Sequence, residues 1–284
     1  MTHQFTTFSP IADLRALLFV GDDAGGFLQG QLTAEIAALP LHRWVRTAYC
    51  SRQGRIMTCM LVGRGAAGYA ALLPAAAADD TIAQLAKFIL RAKVKITALE
   101  VVEGRRTAAL AASDKGSGDV QEEEGALIFN DGAWQLKALL GGTATVADDV
   151  SAVWRREQIM RGAPWAGGAT SGMFIPQHIN LELWGGVNFK KGCYVGQEVI
   201  ARLHYLGKIK RRGYIVSGRG APPAAGQKIG EGIEVVNAAP NDADGFVCFA
   251  SLPCTAATVP QTWQGEPLVI SPPPEVALDS SGGQ

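Results

Sequence analysis

Residues 188 to 214 divide the chain into two textures. Upstream, strand-like runs alternate with helical ones. Downstream, only short strand-like runs remain, split by Gly- and Pro-rich breaks such as Gly220-Ala221-Pro222-Pro223. At the divide stands Lys191-Gly192-Cys193-Tyr194-Val195-Gly196-Gln197-Glu198. Gly192 and Gly196 admit backbone angles closed to other residues, which suits a tight loop and close approach of a ligand. If Gln197 to Leu206 is a helix, Cys193 falls just ahead of its N-terminus. A nearby lysine and the helix macrodipole both favour an anion there, the conditions under which a thiol becomes a thiolate. The alternative role of a free cysteine is that of a small buried hydrophobe.

Formal net charge is zero over 284 residues, so bulk charge does not mark a nucleic-acid-binding chain. The charge is unevenly spread. Residues 188–214 carry seven Lys and Arg against Glu198 alone. The strip over 202–212 (Arg202, Lys208, Lys210, Arg211, Arg212) suits a carboxylate tail or RNA phosphates, and equally a solvated strand end. The five cysteines include no C-x-x-C pair, which points away from a disulfide framework and from zinc or iron–sulfur ligation. His178 is a candidate base, but no partner stands at metal-ligand spacing. The N-terminus lacks a basic region followed by an apolar stretch, and no apolar run reaches membrane-spanning length. A reducing cytoplasm, with no membrane contact, is the expectation.

In chain order the pattern predicts a strand over Leu14–Val20, then a helix capped by Asp22 or Asp23 and running to about Leu39. Strands follow at Val45–Cys50 and Ile56–Gly63, around a turn at Gly54, and at Tyr69–Leu73. Ala75–Leu90 reads as a helix, Lys93–Leu99 and Thr107–Ala112 as strands, and 113–124 as an exposed loop. Leu127–Asn130 and Ala133–Leu139 form a hairpin across Asp131-Gly132. Val150–Arg161 is a helix ended by Gly162-Ala163-Pro164. The fold class is α+β, with a ferredoxin-like lobe. Residues 208–272 read as a small C-terminal β-barrel and 273–284 as a disordered tail, leaving 1–207 as one α+β domain, expected in two lobes.

Three segments carry a family resemblance. The octapeptide from Lys191 resembles the K-G-C-Y-x-G-Q-E signature of the YgfZ-type folate-binding proteins, relatives of the glycine-cleavage T-protein (aminomethyltransferase). Phe27-Leu-Gln-Gly-Gln-Leu-Thr33 resembles their F-L-Q-G-Q-x-T segment, although Ala34-Glu35 replaces the usual Asn-Asp. Phe174-Ile-Pro-Gln-His-Ile-Asn-Leu181 resembles F-I-P-Q-x-x-N-L. The resemblance implies a ring-like T-protein fold with a central cavity for tetrahydrofolate. It implies a role in maintaining iron–sulfur enzymes, including those that modify tRNA, through Cys193.

Trp154 matches the family's folate-contacting aromatic, and an indole suits a flat pterin. Gln177, Tyr194, Gln197, Glu198, Lys191 and Arg202 are the further folate-contacting candidates, with the cations facing its carboxylates. A second family aromatic maps to Leu14, which removes a stacking partner. In the T-protein an acid pair follows the Ile of the first hairpin; here Met57-Thr58 stands there, and Met cannot act as a general base. Three functions compete: a folate-dependent accessory factor, a one-carbon (aminomethyl) transferase, and an RNA- or protein-binding module.

Overall fold

The computed structural model describes residues 7–99, 101–107, 117–141, 143, 145–241 and 244–275. After the short β1 (Ser9–Pro10), which pairs with a strand of the second lobe, the first lobe contains β2 (Leu14–Val20), α1 (Ala24–Gln31), β3 (Arg43–Cys50), β4 (Ile56–Gly65), β5 (Gly68–Pro74), α2 (Ala78–Ala86) and β6 (Lys95–Leu99). Four of these strands run β6-β2-β5-β4, every neighbour antiparallel, with β3 added beyond β4. That is the order of a β-α-β-β-α-β ferredoxin-like unit.

Period-two alternation assigns the faces. Leu17 and Phe19 of β2, Ala71 and Leu73 of β5, and Met60 and Val62 of β4 share a core with Phe27 and Leu28 of α1 and Leu85 of α2. Leu14, Leu61 and Leu72 face a different core, rich in tryptophan.

The second lobe continues the same sheet. It comprises β7 (Val102–Arg106), β8 (Ser117–Glu123), β9 (Ala126–Asp131) and β10 (Trp134–Leu139), followed by α3 (Ser151–Arg161). The ten strands run β1-β7-β10-β9-β8-β3-β4-β5-β2-β6, joined across β8 and β3. Trp44, Phe129, Trp134, Trp154, Trp165 and Trp184 pack in the core between the lobes. Burying side chains of this size contributes about 1.5–3 kcal/mol each.

After α4 (Gln197–Leu206) come β11 (Arg211–Arg219), β12 (Lys228–Ile229), β13 (Ile233–Asn241), β14 (Gly245–Pro253), β15 (Gln261–Trp263) and β16 (Glu266–Ser271). They form a six-stranded sheet in the order β12-β13-β14-β11-β16-β15. Its edges approach each other, since Gln261 Oε1 in β15 accepts the Glu231 N–H beside β12 at 2.9 Å. The result is a nearly closed barrel. Helix α3 packs on β13 and β14 and ties the barrel to the second lobe.

Several expected boundaries move. Helix α1 stops at Gln31 rather than Leu39, because Leu32 pairs with Tyr49 and the Thr33 N–H bonds Ala48 O. Asp23 makes no side-chain cap; its Oδ2 accepts the Lys93 N–H instead. The 75–90 helix is a 3-10 turn followed by the shorter α2. Within the expected loop over 113–124, Ser117–Glu123 is strand β8, held by ladder bonds to β9 and β3 that override its polar composition. The expected strand over 107–112 lies, beyond Thr107, outside the described residues, as does the tail from 276. At the start of that tail, Glu275 bonds Arg161 and Pro273 abuts Gly162.

Candidate functional site

A cavity of about 530 Å³ opens where both lobes and the barrel meet. Leu14 at the start of β2 and Pro74 at the end of β5 form one wall. Trp154 and Arg155 of α3 form a second, with Trp165 beside them. Pro222–Ala225 and Val236–Ala238 of the barrel close the third. Its volume suits a drug-sized organic molecule.

The Trp154 and Trp165 rings meet edge to face at 5.2 Å and 68°. Both are almost wholly buried, and among the described residues neither indole N–H finds a partner. Asn237 also lines the cavity with an unpartnered buried Oδ1. It sits at a β-bulge, where the β13 register shifts between Val235 and Asn237; bulges commonly re-aim a side chain. Unpaired buried polar atoms are unfavourable, yet these three expose almost no surface to the cavity, so a ligand would reach them only after side-chain movement. Asp13 and Arg155 add a charged pair to the lining, with Arg155 Nε 2.7 Å from Asp13 Oδ2.

The cysteine loop lies elsewhere. The Lys191 ammonium donates to the carbonyls of Gln29, Leu32 and Ala34, each at 2.7 Å. These oxygens lie at and just beyond the end of α1, where helix carbonyls lack intrahelical donors. Burial pulls the Lys191 pKa down to about 8, with Glu35 opposing. Gly196 caps the start of α4 at φ 83°, and a Cβ there would collide with Ser51 O in the first hairpin turn. Tyr194 is buried, its ring 5.1 Å from the Lys191 ammonium, and burial raises its pKa. Cys193 is exposed on this loop.

The structure therefore separates residues that the sequence reading groups together. Of the eight candidates, only Trp154 lines the cavity. Gln177 is buried and donates through Nε2 to Ile200 O at 2.9 Å. Gln197 reaches Lys191 O at 3.4 Å. Glu198 and Arg202 are exposed on α4. Lys191, expected to face ligand carboxylates, holds the end of α1, and Arg202, expected to do the same, is exposed on α4 away from the cavity lining. Among the described residues no cluster of three or more His, Cys, Asp or Glu is placed to hold a metal.

No family model matches the chain. It is 31% identical over 224 residues to the tRNA-modifying protein YgfZ of Vibrio atlanticus, covering 73% of this chain and 68% of that protein. It is 31% identical over 248 residues to the YgfZ of Shigella boydii, covering 78% and 76% respectively. The chain belongs to the YgfZ family.

Its fold is shared with the glycine cleavage system aminomethyltransferase T of Bartonella henselae, at a TM-score of 0.70 and 14% identity. That likeness covers 94% of this chain and 85% of the other, and it bears out the T-protein fold alone.

In this YgfZ-family chain the recognisable segments interlock. Thr33 Oγ1 donates to Gly186 O at 2.6 Å and accepts from the Ala48 N–H. Asn180 forks onto the backbone of Gly213 in β11, donating to its carbonyl at 2.8 Å and accepting its N–H at 3.1 Å. The motif side chains mostly lock the cysteine loop to both lobes and the barrel. Sequence reasoning missed Asp13, Arg155, Trp165 and Asn237. The first two are chain neighbours of Leu14 and Trp154, already singled out, and Trp165 directly follows Gly162-Ala163-Pro164. Nothing in the sequence marks Asn237.

Proposed function

We propose that this chain binds tetrahydrofolate in the 530 Å³ cavity and acts as an accessory factor in tRNA modification. The relatives it matches carry the name tRNA-modifying protein. The observation that carries the folate reading is the cavity lining. Two indoles, Trp154 and Trp165, line a cavity large enough for a pterin, with the Asp13–Arg155 pair as polar lining. A pterin is flat and edged with donors and acceptors, so it complements such a lining. Arg155 is the cation available for the glutamate carboxylates, in competition with Asp13.

Cys193 serves the second half of this reading. On an exposed loop outside the cavity lining, it is presented to a partner protein or RNA, with iron–sulfur enzymes as the proposed clients. Exposed Arg202, Lys208 and Lys210 make the proposed tRNA contact. The strip narrows there, because Arg211 bonds Glu234, Gly232 O and Ser251 O, and Arg212 bonds Glu182 and Gln177 O. An aminomethyltransferase is disfavoured, since Met57 and Thr58 provide no carboxylate where the T-protein pattern has its acids. The cytoplasm suits five free cysteines; no described helix is long and apolar enough to cross a membrane.

Calorimetric titration of tetrahydrofolate into the wild type, Trp154→Ala and Cys193→Ser tests the reading. Saturable micromolar binding is expected in the wild type and Cys193→Ser, and at least tenfold weaker binding in Trp154→Ala. Absence of binding in the wild type, or undiminished binding in Trp154→Ala, would overturn it.

A further inference from the structure

Helix α4 buries a single residue, Ile200. Gln197, Ala201 and Leu203 are half-buried and the other residues exposed, with Tyr205 at 63% and Leu206 at 83% exposure. On this open face three rings gather. His204 stacks on Phe189 at 3.7 Å and 9°, and Tyr205 stands edge-on to His204 at 4.7 Å and to Phe189 at 6.2 Å. Phe189 packs partly against the core that holds Ile200, while the His204 and Tyr205 rings are exposed.

Cations flank the cluster along the chain. Lys190 adjoins Phe189, Arg202 lies one helical turn before Tyr205 and Leu206, and Lys208 and Lys210 lie in the irregular segment between the helix and β11. All four are exposed, and none makes an ion pair or side-chain hydrogen bond among the described residues. Glu198 is the exposed carboxylate of α4, four residues before Arg202, yet it forms no ion pair with it. Arg211 and Arg212, by contrast, are consumed by neighbouring carboxylates and carbonyls.

We propose that the Phe189–His204–Tyr205 cluster is a stacking platform for unpaired RNA bases, with Lys190, Arg202, Lys208 and Lys210 holding the flanking phosphates. Aromatic faces inside a basic surface bind single strands because every base presents a π-face, whereas a duplex hides its bases. Leu206 and Val199 are apolar enough for a protein partner, but unpaired cations around flat rings fit a polyanion with exposed bases better. The site rests on the reading that this chain works on tRNA, and it names the single-stranded loop as the part engaged.

The test is fluorescence anisotropy with a labelled single-stranded RNA of mixed sequence, competed by an unmodified tRNA transcript and by a perfect RNA duplex. Binding is expected to be displaced by tRNA and poorly by duplex. Tyr205→Ala should weaken it about tenfold, within the range of one lost stacking contact. The wild-type salt slope should be about −3 for four phosphates on a single strand, and Lys208→Glu/Lys210→Glu should reduce it. Both sets of positions are exposed, so a loss of folding is not expected, and a circular dichroism melt checks it. Unchanged affinity in Tyr205→Ala, equal competition by duplex, or no RNA binding overturns the platform; in the last case capture of an apolar peptide at Tyr205 would identify a protein surface instead. Tetrahydrofolate titration of Tyr205→Ala keeps the two claims apart. Folate binding without RNA binding sinks the platform alone, and RNA binding without folate binding sinks the cavity reading alone.

Discussion

The ammonium of Lys191 lies 2.7 Å from the carbonyl oxygen of Leu32, 159 residues away in sequence. With the Gln29 and Ala34 carbonyls it makes a three-acceptor clamp that joins the cysteine loop to the first helix. Lys191→Met would leave three acceptors without a donor where water has little access. Each such group is unfavourable by about 1–3 kcal/mol, partly relieved by local rearrangement. The expected loss is about 2–4 kcal/mol, read as a lower urea midpoint at unchanged m-value. An unaltered midpoint would show that the clamp contributes nothing net.

Gly196 is the second anchor of the same loop. At φ 83°, with Ser51 O in the way of any added Cβ, alanine is excluded both by conformation and by contact. Gly196→Ala should destabilise by about 2 kcal/mol or more. Gly192→Ala, where an added Cβ meets nothing within 4 Å, should be much milder. Chemical denaturation of the two variants side by side makes the comparison; equal effects would contradict this account.

His178 lies among cations. Burial first, then Arg211, Arg55 and Arg212, pull its pKa from 6.5 down to about 4. The unfolded chain therefore takes up a proton as pH falls through 6.5, while the native protein does so only near 4. Native stability is unaffected by this group above pH 6.5 and declines between 6.5 and 4. The decline reaches at most about 3 kcal/mol, less where water reaches the ring. Denaturation midpoints of His178→Gln across that window should fall less steeply than those of the wild type. Equal slopes would assign the acid sensitivity to other groups.

The five thiols should separate by access. Cys193 is exposed and Cys254 half-buried, while Cys50, Cys59 and Cys248 are buried. Burial pushes the Cys59 thiol up to about 11 and the Cys248 thiol up to about 12. Under native conditions a thiol reagent should give one fast phase at Cys193 and a slower one at Cys254, the rest reacting only on unfolding. A fast phase that survives in Cys193→Ser would place the reactive thiol elsewhere.

Much of the fold was legible. The 3.6-residue pattern marked α3, and Gln197–Leu206 matches α4 at both ends. Short apolar runs bounded by turn residues marked β2, β4, β5 and the β9–β10 hairpin, whose turn glycine Gly132 takes φ 62°. Strand β8 was hidden because Gly118 and the exposed acids Asp119, Glu122 and Glu123 imitate a loop, and only main-chain pairing with its neighbours makes it a strand. Helix α1 was over-extended because Leu32, Ile36 and Leu39 keep helical spacing while serving a core reached by an irregular path.

By itself the sequence determined most of the local elements and the family, because these depend on nearest neighbours along the chain and on short runs of unusual residues. Only the tertiary structure decided what the motif residues touch. It turned Lys191 from a neighbour of Cys193 into a clamp on α1, set Asn237 beside Trp154 and Trp165 in one cavity, and left the rings of α4 facing solvent. Such relations join residues far apart in sequence, and long-range packing and hydrogen bonds select them where local pattern is silent.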